Sequence, residues 1–193
     1  MQADGLAGYD LWDLAMPHMS PRSILYPLGP VGVGTRKVEC ATTYLARLAR
    51  AHRTHVGTLL TQVILPRIER SYRPADARLG KMEWSYQSTR INGVTDMASS
   101  IVSILSDLTL RPDLRRLTLL PWRHVFPPRG LLRKIHAWCR YCYGTWRALG
   151  QVVYDPLIWS LAIVTACPHH AARLQTVCPY DDCGKEHYPL ESN

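Results

Sequence analysis

His136-Ala-Trp-Cys139-Arg-Tyr-Cys142 and Cys167-Pro-His169-His170 are the two stretches on which the reading of this chain turns. Written as one pattern they give C-x2-C-x24-C-x2-H. A two-residue gap lets two thiolates reach one metal across a tight knuckle whose backbone N–H groups stabilise them. Gly144, two residues past Cys142, suits such a turn. The second pair supplies the other corners of a tetrahedron, and three thiolates with one imidazole are the donor set of a closed structural zinc site. Thiolate softness favours zinc or iron–sulfur over magnesium and calcium, and the histidine favours zinc over an iron–sulfur cluster. His170 fits the two-residue gap better than His169, and His136 is a competing ligand. Such a site stabilises its fold by on the order of 10 kcal/mol.

Working outward, Cys178 and Cys183 form a further C-x4-C pair, followed by Gly184. His187 is a possible third ligand, so Cys178, Cys183 and His187 make a candidate second metal site with no fourth ligand. Five of the six cysteines lie in the last third of the chain. Cys40, outside the cluster, stands at a helix start, which can activate a thiol. Its apolar spacing next to Ala41 reads instead as core packing.

Upstream, proline and glycine fill residues 22–37 and exclude a helix there. Gly29 and Gly34 mimic the spacing of a phosphate loop, but Thr35-Arg36 replaces the required Lys-Ser/Thr. From Val38 the pattern becomes helical, with Tyr44, Leu45 and Leu48 at i, i+1 and i+4. Thr54 is the expected N-cap of a second helix carrying Val56, Leu59, Leu60, Val63 and Ile64, with Pro66 limiting it. Two short helices around a tight turn make a helix-turn-helix candidate, although an ordinary helical hairpin packed for stability is the commoner source of this pattern. Residues 66–93 are arginine-rich and mixed, and residues 1–21 read as an irregular lead. A third helix is expected over 98–110, ended by Pro112, with a short helix capped by Asp113 after it. Pro121, Pro127 and Pro128 form a rigid connector and place a boundary near residue 130. The expected fold is therefore mainly α: residues 1–130 as a helical domain with the candidate helix-turn-helix, residues 131–193 as a zinc-ribbon region whose second ribbon is incomplete.

The chain has 193 residues, enough to bury a core without disulfides. It carries 23 Lys+Arg against 15 Asp+Glu, a net charge of +8. Residues 36–147 hold twenty basic and seven acidic residues, a net +13, so both ends are acidic. A basic middle favours a polyanion such as nucleic acid. On charge and position, the candidate nucleic-acid residues are Arg47, Arg50, Arg53, Arg115, Arg116, Arg123, Arg129, Arg133 and Lys134. No stretch has the roughly 20 apolar residues of a membrane helix. Acidic residues at Asp4, Asp10 and Asp13 oppose a secretory signal, so a cytoplasmic protein with reduced thiols is expected. A zinc deaminase needs His-x-Glu before its cysteine pair. Here His136 is followed by Ala137 and Trp138, and four protein ligands leave no open metal position. No residue constellation supports an enzyme.

Ala137-Trp-Cys-Arg-Tyr-Cys-Tyr-Gly-Thr-Trp-Arg147, then Val164-Thr-Ala-Cys-Pro-His-His170 and Leu174-Gln-Thr-Val-Cys-Pro179, form a distinctive series. With Leu25-Tyr-Pro-Leu28 and Ala41-Thr-Thr-Tyr-Leu-Ala-Arg-Leu-Ala-Arg-Ala-His52, it resembles the TniQ family of transposon target-selection proteins, which includes TnsD-like members. The resemblance covers residues 25–184. It implies an N-terminal helix-turn-helix followed by tandem zinc ribbons, with zinc ligands at Cys139, Cys142, Cys167 and His170. It also implies a prokaryotic adaptor that marks an insertion site and recruits an AAA+ transposition regulator, which brings the transposase. In CRISPR-associated transposons the target-site complex is an RNA-guided effector, with DNA or guide RNA as the nucleic-acid contact. The other reading is a stand-alone helix-turn-helix regulator with a structural zinc ribbon.

Overall fold

The computed structural model describes residues 20–71, 88–180, 182–188 and 190. Most of the expected lead segment, part of the arginine-rich stretch (72–87) and Asp181 lie outside the described residues. The fold is mainly helical. Helix α1 is Ala41–Ala51. Helix α2, Val56–Thr58, runs into a π-helical turn at Leu59–Ile64 and then into α3, Leu65–Ser71. Helix α4 is Asp96–Thr109 and α5 is Arg140–Ala148. Short 3-10 turns at Ser88–Asn92, Pro112–Leu117, Leu120–Trp122 and Leu157–Ser160 link them.

The junction between α1 and α2 differs from the sequence expectation. Arg53 adopts a left-handed backbone (φ 52°). Its N–H reaches the carbonyl of Arg50 at 2.9 Å, and that of Thr54 reaches Ala49 at 3.0 Å. This paired return is a Schellman ending, which satisfies the orphan carbonyls of α1. Thr54 is thereby spent on closing α1, and His55, not Thr54, is the N-cap residue of the next helix. Nor does Pro66 end that helix. The wide turn before it, in which the Leu65 N–H reaches back to Leu60, spares the ladder bond that proline cannot make.

Helix α4 starts where Thr95 caps the Ala98 N–H and ends at Leu110, whose φ is 55°. Its buried face, Ile101, Val102, Leu105 and Leu108, packs with Tyr44, Leu45 and Leu48 of α1 and Ile64 of the second helix. Pro112 then opens a 3-10 helix with Arg111, not Asp113, at its N-cap. Asp113 instead accepts two bonds from the Arg111 guanidinium, at 3.1 and 2.7 Å.

A second core gathers Cys139, Cys142, Trp146, Tyr154, Trp159 and Cys167. A third, with Cys40, Val94, Leu119 and Leu157, draws on residues from both ends of the described chain. Among the described residues, β structure is confined to isolated antiparallel bridges, including Glu39 with Pro156, Trp138 with Gln175 and Ala166 with Arg173. In the glycine-rich segment, Gly32 sits at φ 67°, and a Cβ there would lie 2.6 Å from the Lys37 carbonyl oxygen. The Val31 N–H that a phosphate loop would offer is taken by the Glu39 carboxylate at 3.1 Å.

Candidate metal centre

Cys139 is the N-cap residue of α5, and the first helical turn brings Cys142 back beside it, because residues three apart share a helix face. The turn that joins this pair is thus helical. Gly144 lies inside α5 with open space where a Cβ would go, so no tight bend depends on it. Cys167 and His170 sit on a loop closed by two backbone bonds. The Cys167 N–H reaches Ala172 at 2.7 Å, and the Ala171 N–H reaches Cys167 at 2.9 Å. Ala171 turns the chain at φ 49°. The bridge between Trp138 and Gln175 holds the two halves together.

The four donor atoms lie within 4.8 Å of one another. His170 Nδ1 is 3.6 Å from Cys139 Sγ, 3.3 Å from Cys142 Sγ and 3.8 Å from Cys167 Sγ. Cys142 and Cys167 Sγ are 3.7 Å apart. A tetrahedron with metal–sulfur bonds of about 2.3 Å has edges of about 3.8 Å, so these separations match the edges of a single-ion cage. They are far longer than a disulfide bond of about 2.0 Å. The three cysteines are buried and His170 is half-buried. Burial, followed by the neighbouring Cys167 thiol, pushes the Cys142 thiol up to about 12. Cys167 goes the other way: burial would raise it, but the backbone N–H groups of His170 and His169 bring it below its usual value. Crowded thiols with amides aimed at them suit thiolates held by a cation, which reverses the cost of gathering negative charge. These four side chains could hold a metal ion and leave no open position among them.

An aromatic wall backs the cluster. Trp146 stacks on Tyr154 at 4.6 Å, and the Trp146 and Trp159 rings are 6.1 Å apart. His136, the rival ligand, points elsewhere: its Nε2 is 2.8 Å from Asp155 Oδ2. The same carboxylate accepts from the Tyr143 hydroxyl at 2.5 Å and the Thr43 hydroxyl at 3.0 Å. His169 is exposed and lies outside the cluster. Cys178 is half-buried and Cys183 exposed. The Cys178 N–H bonds the Lys185 carbonyl, and the Cys183 N–H bonds that of Tyr180, in a turn that Gly184 closes at φ 53°. His187 is not gathered with these two cysteines into a three-ligand group. Cys40 is buried, and burial together with the charge of Asp155 pushes its thiol up to about 11, the reverse of an activated nucleophile.

The candidate nucleic-acid residues divide. Arg50, Arg53, Arg115, Arg116, Arg123, Arg129 and Lys134 are exposed. Arg50 and Arg53 line a cleft of about 880 Å³ with His55, His136 and Asp155. Arg129 and Lys134 line a second cleft, about 460 Å³, with Arg90. Arg47 turns inward to pair with the buried Glu39 at 2.5 Å. Arg133 is half-buried, and its guanidinium donates to the carbonyls of Leu161 and Val164. Arg90, Asn92 and Asp155 were not among the sequence candidates. Arg90 stands apart from the basic pairs, and the other two act through partners distant in sequence.

The TniQ family model matches residues 30–174, three quarters of the chain, and the match spans the whole four-ligand cluster. The chain belongs to the TniQ family. Its place is therefore among transposition-associated proteins, and the match points to no enzymatic family. No curated protein matches the chain significantly. Among the described residues, no helix of this TniQ protein is long and apolar enough to cross a membrane.

Proposed function

We propose that this TniQ protein is a non-enzymatic target-selection adaptor of a prokaryotic transposon, acting in the cytoplasm. It links a target-site complex, an RNA-guided CRISPR effector, to the AAA+ transposition regulator, and so recruits the transposase. The observation that carries this reading is the family match over residues 30–174, which includes the closed Cys3His cluster. We read that cluster as a structural zinc site of zinc-ribbon type, since a soft, fully protein-ligated cage favours zinc and leaves no place for substrate. Cys178, Cys183 and His187 stand as the remnant of a second ribbon.

An adaptor works by holding surfaces in fixed relation, and the metal gives rigidity where the core is small. Its nucleic-acid contact is supported by the exposed arginines, which bond phosphates in a planar fork. We read α1 and the helix that begins at Val56 as a helix-turn-helix. Its exposed Arg50 and Arg53 also suit the alternative, a regulator that binds DNA alone. Co-purification separates the two. Capture of the cognate AAA+ ATPase by the zinc-loaded chain supports the adaptor. A defined operator footprint by the chain alone, without capture of the ATPase, overturns it in favour of the regulator.

A further inference from the structure

Residues 114–154 contain eight arginines and lysines and no aspartate or glutamate. Within this run, Trp122 is 54% exposed and Val125 66%, while Phe126 is half-buried beside them. The turn is held by its backbone: the Trp122 carbonyl accepts from the N–H groups of Val125 at 2.9 Å and Phe126 at 3.1 Å. The Trp122 and Phe126 rings lie 6.3 Å apart, tilted by 47°. Pro121, Pro127 and Pro128 restrict the chain on both sides. The aromatic pair is thus fixed before any ligand arrives. Immediately after it, Arg129 enters the 460 Å³ cleft shared with Arg90, Thr95, Leu132 and Lys134. Among the described residues, Asp96, next to Thr95, pairs with Arg123 at 3.1 Å.

We propose that this surface binds single-stranded nucleic acid, with bases stacked on Trp122 and Phe126 and phosphates lying along Arg129, Arg90 and Lys134. Each part follows from chemistry. An exposed indole in a fixed turn takes a flat π-face, and every unpaired base offers one regardless of sequence. A duplex keeps those faces stacked inside. The cationic flank contributed by residues 114–154 attracts a polyanion and repels a basic partner. This inference deepens the nucleic-acid contact of the proposed adaptor and rests on that part of it, not on the ATPase link.

The test is fluorescence anisotropy with the full zinc-loaded chain. The probes are a labelled oligothymidylate and a random-sequence duplex of equal length, each titrated at several salt concentrations. Trp122→Ala weakens single-strand binding roughly tenfold and leaves the salt slope unchanged, as expected for stacking. Trp122→Phe retains most of the affinity. Arg129→Ala instead lowers the slope by about 0.7, the value for one phosphate contact on a single strand. Duplex binding is unaffected by Trp122→Ala. Circular dichroism and metal content confirm that each variant is folded, which exposure of these side chains favours. Wild-type single-strand affinity in Trp122→Ala overturns the proposal, as does equal loss on both probes. Capture of the AAA+ ATPase, measured in parallel, keeps the two readings apart. Capture retained while Trp122→Ala leaves oligothymidylate binding unchanged overturns the stacking site alone. Capture lost in Trp122→Ala under that same condition assigns the turn to the protein partner.

Discussion

Asp155 receives bonds from His136, Tyr143 and Thr43, three side chains from three separate segments. Burial raises its pKa, but His136 and then the two hydroxyls outweigh that and hold the carboxyl below its ordinary 3.8. His136 moves in the complementary sense. Burial lowers it, with help from Arg133, yet Asp155 outweighs both and raises it above 6.5. The signs define a window. The contribution of Asp155 is present above pH 3.8 and is lost as pH falls through its depressed folded value. That of His136 is present below pH 6.5 and is lost as pH rises through its raised folded value. Arg50 and Arg53 line the same cleft and add fixed positive charge beside the network. Melting temperature should therefore decline on the alkaline side of pH 6.5, and Asp155→Asn should flatten that decline. The same substitution leaves His136 without its counter-charge and costs about 3 kcal/mol, measured by denaturant unfolding near pH 6. His136 was legible as a polar residue near the cysteines. Its role was not, because its partner lies 19 residues away and is brought in by folding.

At the scale of elements, the N-terminus of α1 shows how a cap can come from elsewhere. Cys40 stands at the N-cap position and makes no side-chain cap bond. The Asn92 side chain, 50 residues on, accepts from the Thr42 N–H at 3.1 Å instead. Its amide also donates to the Thr42 hydroxyl and to Ser160, tying α1 to the 3-10 turn Leu157–Ser160. Asn92→Ala should cost about 2 kcal/mol in thermal or denaturant unfolding, because it strands a buried N–H. At the other end of α1, Arg53 holds a left-handed conformation that disfavours any side chain by roughly 1–2 kcal/mol. Arg53→Gly should raise the melting temperature, by an amount worth up to about 1 kcal/mol. If Arg53 also contacts nucleic acid, the same variant binds it more weakly, so affinity falls while stability rises. Helix positions were readable from periodicity, since Tyr44, Leu45 and Leu48 of α1 are buried as spaced, and of the expected α4 face Ile101, Leu105 and Leu108 are buried and Ile104 half-buried. The end of α4 before Pro112 was also readable, but Thr54 and Asp113 were claimed by local bonds, and a wide turn carried the second helix past Pro66.

For the molecule as a whole, the metal cluster and the helical core share a boundary. The Cys40 N–H bonds Asp155 at 2.8 Å, and the Leu157 N–H bonds Val38 at 2.7 Å. Cys139, Cys142 and Cys167 are themselves core residues, so an ion held by them would organise the second core. Chelation, or Cys139→Ser, should abolish the near-ultraviolet dichroism of Trp146 and Trp159 and release about one zinc per chain, since such sites supply on the order of 10 kcal/mol of folding free energy. Helical signal from α1 and α4 should largely survive, because their shared core contains no cluster ligand. A zinc-free Cys139→Ser protein with native near-ultraviolet dichroism would remove the metal from the account of the fold.

The sequence by itself determined the four-residue Cys/His cluster that could hold a metal, the helical cores and the acid-free basic run. These are short-range facts: a three-residue helical step, a 3.6-residue period and a composition. Tertiary structure alone decided that Arg47 and Arg133 serve the interior and that His136 serves Asp155 instead of joining the Cys/His cluster. It also decided that Asn92 caps a helix it does not belong to and that Trp122 stands in solvent beside a basic cleft. The physical reason is the same in each case. A side chain's hydrogen-bond partner or its exposure depends on which distant segment the fold brings against it, and neither spacing nor residue type carries that information.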